Sequence, residues 1–246
     1  MDKHPYKKKW GQNFIQDENI IKKIITIIDP KKNDSIIEIG PGKGALTKHL
    51  LNSKKITAVE IDPILCSYLN QKFDSKLEIV NQDFLKFQLN KYSNYNKIIG
   101  NLPYYITTPI IFKVLENPFW NEAIFMIQKE VADRIVAKPG NKTYGRLSVM
   151  VQIIADVEKE INVTKNIFYP KPKVDSSIIK ITLKQKNSVK NIEIFSEIVK
   201  KAFGQRRKIL KNSLQNMIPL DSYIKYINKR PEELSVENYA EIANSI

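Results

Sequence analysis

Ser35 to Ile39 is a short apolar run that opens directly into Gly40-Pro41-Gly42-Lys43-Gly44-Ala45. Closely spaced glycines break a strand and carry no Cβ to hold backbone away from a ligand. The pattern therefore reads as strand, tight turn, then a helix through His49 and Leu51. That layout belongs to folds in which strands lie parallel and their crossovers cover the faces. The alternation continues downstream. Lys55 to Ile61, Leu77 to Val80, Lys97 to Gly100 and Glu122 to Gln128 read as strands. Helices are expected from about Asp17, from Pro63, over Thr108 to Leu115 and over Lys129 to Val136. The expected architecture is α/β, a doubly wound, mostly parallel sheet with right-handed connections. In such a sheet ligands bind beyond the carboxyl ends of the strands.

Four loops place suitable groups at those ends. The glycine turn is not a phosphate-binding P-loop, because it lacks the closing Gly-Lys-Ser/Thr. Gly40-x-Gly42-x-x-Ala45 does fit a relaxed dinucleotide fingerprint, so a nicotinamide cofactor stays open at this point. Glu60 ends the next strand, 20 residues beyond Gly40, where a carboxylate usually accepts from ribose hydroxyls. Asp83 follows the third strand; it suits an adenine amino group or a plain turn. The fourth strand delivers Asn101-Leu102-Pro103-Tyr104. The Asn101 amide oxygen and a carbonyl near Pro103 can each accept one N–H of a ring amine, and Tyr104 can stack on the ring. Pro103 stiffens the turn and contributes no N–H of its own.

Beyond residue 139 the pattern changes. Arg146 to Ala155 reads as a helix, Lys159 to Thr164 and Ser176 to Leu183 as strands. Between those strands, Pro170 and Pro172 stiffen a loop that would hold Phe168 outward as a second stacking face, the alternative being a core residue. From Lys186 onward helical stripes dominate, with further helices over Leu220 to Ile227 and Ser235 to Ala243. The expected division is residues 1–185, including a basic N-terminal arm, and a small all-α domain over 186–246.

The formal net charge of +14 suggests a polyanionic partner. Only five of the 40 basic residues are arginine, which looks like A/T-rich codon bias and makes the adjacent Arg206 and Arg207 conspicuous. Lys7, Lys8 and Lys9 in the arm, with Arg206, Arg207 and Lys208, are the candidate RNA-backbone contacts. A single cysteine, Cys66, excludes an internal disulfide and fits a cytoplasmic setting. His4 and His49 lie far apart and no Cys/His cluster has ligand spacing, so no metal is expected. No stretch approaches the ~20 apolar residues of a membrane span.

Read jointly, six stretches resemble the ribosomal RNA adenine N6-dimethyltransferase family. They are Gly11-Gln12-Asn13-Phe14, Glu38 to Gly42, Asn101 to Tyr104, Tyr144 to Val149, Pro172 to Ser176 and Gln205 to Lys208. The resemblance implies a Rossmann-like methyltransferase fold with S-adenosylmethionine (SAM) as methyl donor. It implies that Asn13 and Ile15 close over the cofactor and that Gly40 lies under its amino-acid end. Glu60 would hold the ribose hydroxyls, Asp83 would read the adenine, and Asn101 would lie between cofactor and target, with Tyr104 and Phe168 stacking on the flipped base. The implied substrate is a pair of adjacent adenosines near the 3′ end of small-subunit ribosomal RNA, in a precursor small subunit, acted on by a monomer with a role in subunit biogenesis. A large-subunit RNA methyltransferase of the resistance type and a mainly non-catalytic assembly factor are the alternatives.

Overall fold

The computed structural model describes residues 10–73, 76–186 and 188–246. In chain order the elements are β1 (Phe14–Ile15), α1 (Glu18–Ile28), β2 (Ser35–Ile39), β3 (Lys55–Glu60), α2 (Pro63–Phe73), β4 (Glu78–Asn81), β5 (Lys97–Asn101), α3 (Thr107–Leu115), β6 (Glu122–Gln128), α4 (Lys129–Ile135), α5 (Arg146–Ile154), β7 (Ala155–Val163), β8 (Phe168–Tyr169), β9 (Ser176–Leu183), α6 (Ile192–Gly204), α7 (Leu210–Leu214) and α8 (Val236–Asn244).

Seven strands form one sheet in the order β4-β3-β2-β5-β6-β9-β7. The pairs β4-β3, β3-β2, β2-β5 and β5-β6 are parallel, and β9 runs antiparallel to β6. β2 is buried along its whole length, as a central strand covered on both faces should be. The sheet is thus doubly wound and mostly parallel, as its sequence pattern implies. A separate two-stranded sheet pairs β1 with β8, which the sequence did not announce.

Local chemistry explains the boundaries. Asp17 caps α1, its Oδ1 accepting from the Asn19 and Ile20 N–H groups at 2.8 and 3.1 Å. Ile21, Ile24 and Ile28 turn the buried face of α1 to the core, and a left-handed Asp29 ends it. The expected helix through Leu51 does not form; Thr47–His49 is a 3-10 turn instead. Gly44 sits at φ +79°, a left-handed conformation no α-helix can propagate through, and a Cβ there would meet the Phe73 ring at 2.5 Å. Likewise Leu220 to Ile227 makes two 3-10 turns, Leu220–Ser222 and Ile224–Tyr226, interrupted at buried Tyr223.

Two compact units emerge from the packing. One runs to Ala132 and takes in Glu158–Thr182; the other joins Asp133–Val157 to Leu183–Ile246. The second is helical: α6 buries Phe195, Ile198, Val199 and Ala202, and packs with α5, α7 and α8. Tyr144, Phe203 and Tyr239 form a chain of rings at 6.1 and 5.9 Å in its interior. Among the described residues no helix is long and apolar enough to cross a membrane.

Candidate active site

A cavity of about 260 Å³ opens where β2, β3 and β5 end. Asn13, Ile15, Gly40, Glu60, Asp83 and Asn101, the six residues assigned to cofactor binding from sequence, all line it. They arrive from separate loops, and the parallel topology brings them to one rim. Residues 10–16 form a strap along the cavity. Pairing of Phe14 with Tyr169 and Ile15 with Phe168 holds it, and Gln12 Nε2 donates to Asp62 Oδ2 at 3.1 Å. Gly42 is where the strap comes closest to the glycine turn: a Cβ there would lie 2.9 Å from the Phe14 ring.

Glu60 is buried and engaged at both oxygens. Oε2 accepts from the Gly42 N–H at 3.2 Å and Oε1 from the Asp62 N–H at 2.9 Å. Burial raises its pKa despite those backbone donors. Each oxygen still has a lone pair, so two further hydroxyls can be accepted. Asp83 makes the expected turn contact and also borders the cavity: its Oδ1 accepts from the Leu85 N–H at 2.9 Å.

Glu38 lines the same cavity and was given no role of its own from sequence. It is 2% exposed, and its Oε2 accepts from the Thr47 hydroxyl at 2.7 Å. Burial pushes its pKa up to about 7, Thr47 works against the shift, and the neighbouring Glu60 adds to it. The available signal was a carboxylate in the middle of an otherwise apolar strand. Among the described residues no lysine or arginine forms an ion pair with Glu38 or Glu60, so the cavity floor carries two buried carboxyl groups whose ionised forms are paired with no cation. Such a floor favours a cationic ligand and opposes the diphosphate of a nicotinamide dinucleotide.

Asn101 ends β5 at the cavity's edge. Its Nδ2 donates to the Asn13 carbonyl at 2.9 Å. That bond fixes the amide orientation and leaves Oδ1 as an acceptor on the other arm. The carbonyl near Pro103 that stays open as an acceptor is that of Leu102. The Pro103 carbonyl already accepts from Ile106 N–H at 3.1 Å and the Thr107 hydroxyl at 3.0 Å, whereas no donor among the described residues takes the Leu102 carbonyl. Tyr104 is half-buried, its hydroxyl 2.5 Å from Ser176 Oγ.

Phe168 takes the core alternative rather than the stacking one. It is 4% exposed and belongs to the core with Ile15, Ile21 and Ile178, so it is not held out on its loop. Pairing β8 with β1 turns it inward, and Tyr169 takes the outward position. Arg206 is also committed. Its guanidinium donates to the Lys142 carbonyl at 2.7 Å and faces Glu232 at 3.7 Å. Arg207 and Lys208 are exposed. Lys7, Lys8 and Lys9 lie outside the described residues.

Comparison with known proteins agrees with this geometry. The family model described as "Ribosomal RNA adenine dimethylase" matches residues 3–246. The chain belongs to the ribosomal RNA adenine dimethylase family. A "Ribosomal RNA small subunit methyltransferase A" of Francisella tularensis subsp. novicida (strain U112) is 45% identical over 97% of this chain and 96% of its own length. Among solved structures, a dimethyladenosine transferase from Plasmodium falciparum superposes with a TM-score of 0.84 at 27% identity, covering 93% of this chain and 95% of that one. The 23S rRNA methyltransferase ErmE gives 0.72 at 25% identity over 94% and 99%. Ribosomal RNA adenine dimethylases are SAM-dependent methyltransferases, and the uncompensated carboxylates with the glycine turn fit a cationic nucleoside cofactor.

Proposed function

We propose that this dimethylase transfers methyl groups from S-adenosylmethionine to the N6 amines of two adjacent adenosines near the 3′ end of small-subunit ribosomal RNA. The observation that carries the proposal is Asn101: a cavity-edge amide whose nitrogen is tied to Asn13, so that its oxygen is presented as an acceptor. The 45% identity to a protein named as a small-subunit methyltransferase supports that substrate over large-subunit RNA.

Glu60 would accept from the ribose hydroxyls, Asp83 and Gly40 would meet the adenine and amino-acid ends, and the strap at Asn13 and Ile15 would close the site. When bound, the cofactor supplies a methyl group on a sulfonium. The adenine amine is a poor nucleophile because its lone pair is delocalised into the ring. Asn101 Oδ1 and the Leu102 carbonyl each accept one N–H, which favours a pyramidal nitrogen with its lone pair directed at the methyl. Positioning of this kind supplies several kcal/mol of the barrier. Each transfer forms an N–C bond as the S–C bond breaks, and the resulting ammonium loses its proton to water, so no protein base is required. The target must leave its stack to reach the site. Tyr104 restores stacking worth ~1–3 kcal/mol per base. Phe168, as placed, backs the strap through Ile15, so its contribution is to hold the cofactor side rather than to face the base.

In the same reading residues 1–185 carry catalysis and residues 186–246 grip RNA, Arg207 and Lys208 being its exposed cations. The protein works as a monomer in the cytoplasm on a precursor small subunit, without a metal. Transfer of tritiated methyl to purified small subunits lacking the modification, followed by primer-extension mapping, tests the assignment. Label on two adjacent adenosines near the 3′ end is expected; label in large-subunit RNA would overturn it.

A further inference from the structure

Phe14 and Tyr169 are directly paired in the β1-β8 sheet. Opposed residues of an antiparallel pair share a face. Phe14 and Ile15 both line the cavity, so their partners Tyr169 and Phe168 border the strap; Phe168 shares the core face with Ile15, and Tyr169 lies on the opposite face with Phe14. Tyr169 is nevertheless 51% exposed, and Val174 44%. Lys171 and Lys173 between them are exposed as well. The segment Tyr169-Pro170-Lys171-Pro172-Lys173-Val174 thus alternates an aromatic ring, cations and an apolar tip on a proline-stiffened backbone.

This segment is also firmly anchored. Phe168 is in the core at one end. At the other, the Asp175 carbonyl accepts from the Lys129 N–H at 3.0 Å and Asp175 Oδ1 from the Lys165 N–H at 2.9 Å. Ser176, fully buried, closes on the Tyr104 hydroxyl at 2.5 Å. One rigid piece therefore carries an outward stacking residue and the tether of the ring proposed to stack on the target base.

We propose that residues 169–175 seat the nucleotide next to the target adenosine, with its base on Tyr169 and the adjoining phosphates on Lys171 and Lys173. The proposal rests on the RNA methyl-transfer reading and adds a second base site to it. The ligand class is single-stranded RNA. A duplex offers no unstacked base for an aromatic face, whereas an exposed tyrosine flanked by lysines matches the stacking-plus-cation pattern of single-strand binders.

Binding of a short single-stranded RNA with two adjacent adenosines, and 2-aminopurine at either flanking nucleotide, tests this without turnover. The full-length protein should quench the fluorophore at one flank. Tyr169→Ala should abolish that quench and weaken binding about tenfold, the size of a single base stack, while Tyr169→Phe retains both. Lys171→Ala with Lys173→Ala should lower the slope of log affinity against log salt by about 1.4, from two single-strand phosphate contacts. Unchanged quench in Tyr169→Ala, or an unchanged salt slope in the lysine variant, would overturn the site. Failure of the wild type to methylate, with these binding effects intact, would instead overturn the catalytic reading.

Discussion

The two ends of the same sheet treat buried charge in opposite ways. At the amino end of β5, Lys97 is buried and fully satisfied: Asp34 lies at 3.0 Å, Glu122 at 3.4 Å, and the Ile28 and Asp29 carbonyls accept at 2.9 and 3.0 Å. Burial raises the pKa of Asp34, but the Lys31 N–H, the Asn96 amide and Lys97 together hold it below the usual carboxylate range. At the carboxyl ends, Glu38 and Glu60 are equally hidden, yet burial wins and both are raised. A paired charge ties α1, β2, β5 and β6 together; an unpaired one is an unfavourable arrangement in the empty fold that a cationic ligand can relieve. Fold and function divide along that line.

The largest effect expected from this contrast is at Lys97. Lys97→Ala strands two carboxylates and should cost about 3–5 kcal/mol in denaturant unfolding. By contrast, Glu60→Gln loses one of the two backbone N–H bonds and should cost only about 1–3 kcal/mol, while weakening SAM binding in calorimetry. A loss of stability at Glu60 as large as that at Lys97 would erase the distinction.

Next in size is a pH dependence. Glu38 holds its proton to about pH 7 in the fold against an ordinary 4.5. A raised acid makes the native state bind more protons than the unfolded one between those values, so stability falls as pH rises from about 4.5 to about 7. The full span corresponds to about 3 kcal/mol. Unfolding of the ligand-free protein across that range should show the decline, reduced in Glu38→Gln. Binding of a cationic cofactor should strengthen over the same interval, with proton release visible as a buffer-dependent heat.

Smaller effects sharpen the contrast in the helical unit. Arg206→Ala removes a bond to the Lys142 carbonyl and a half-exposed pair with Glu232, and should cost about 1 kcal/mol of stability. Arg207→Ala with Lys208→Ala should change stability by less than about 0.5 kcal/mol. Its effect should appear as a reduced salt dependence of RNA affinity, by about 0.7 for each phosphate no longer neutralised.

Much of this was legible in the sequence because strand ends carry their own punctuation. Gly40, Glu60, Asp83 and Asn101 each follow a short apolar run, and parallel topology gathers such positions without further information. Pairings between distant segments left no such mark. Nothing in the residues themselves says that β1 meets β8, and that pairing is what turns Phe168 inward and Tyr169 outward. Which carbonyl near Pro103 stays open, that of Leu102, depended on which one the following 3-10 turn consumed. Glu38 was visible as an acid in an apolar strand, but only burial without a partner gave it meaning. Arg206 read as a surface cation until Lys142 and Glu232 were found beside it.

In the proposed mechanism Asn101 presents its amide oxygen to the target amine. Single-turnover methyl transfer by Asn101→Ala, with SAM affinity measured in parallel, tests that role most directly. The expected result is a rate reduced by roughly 10²–10³-fold, with cofactor and RNA affinities changed only a few-fold. Transfer at the wild-type rate, or a loss explained wholly by failed SAM binding, would contradict it.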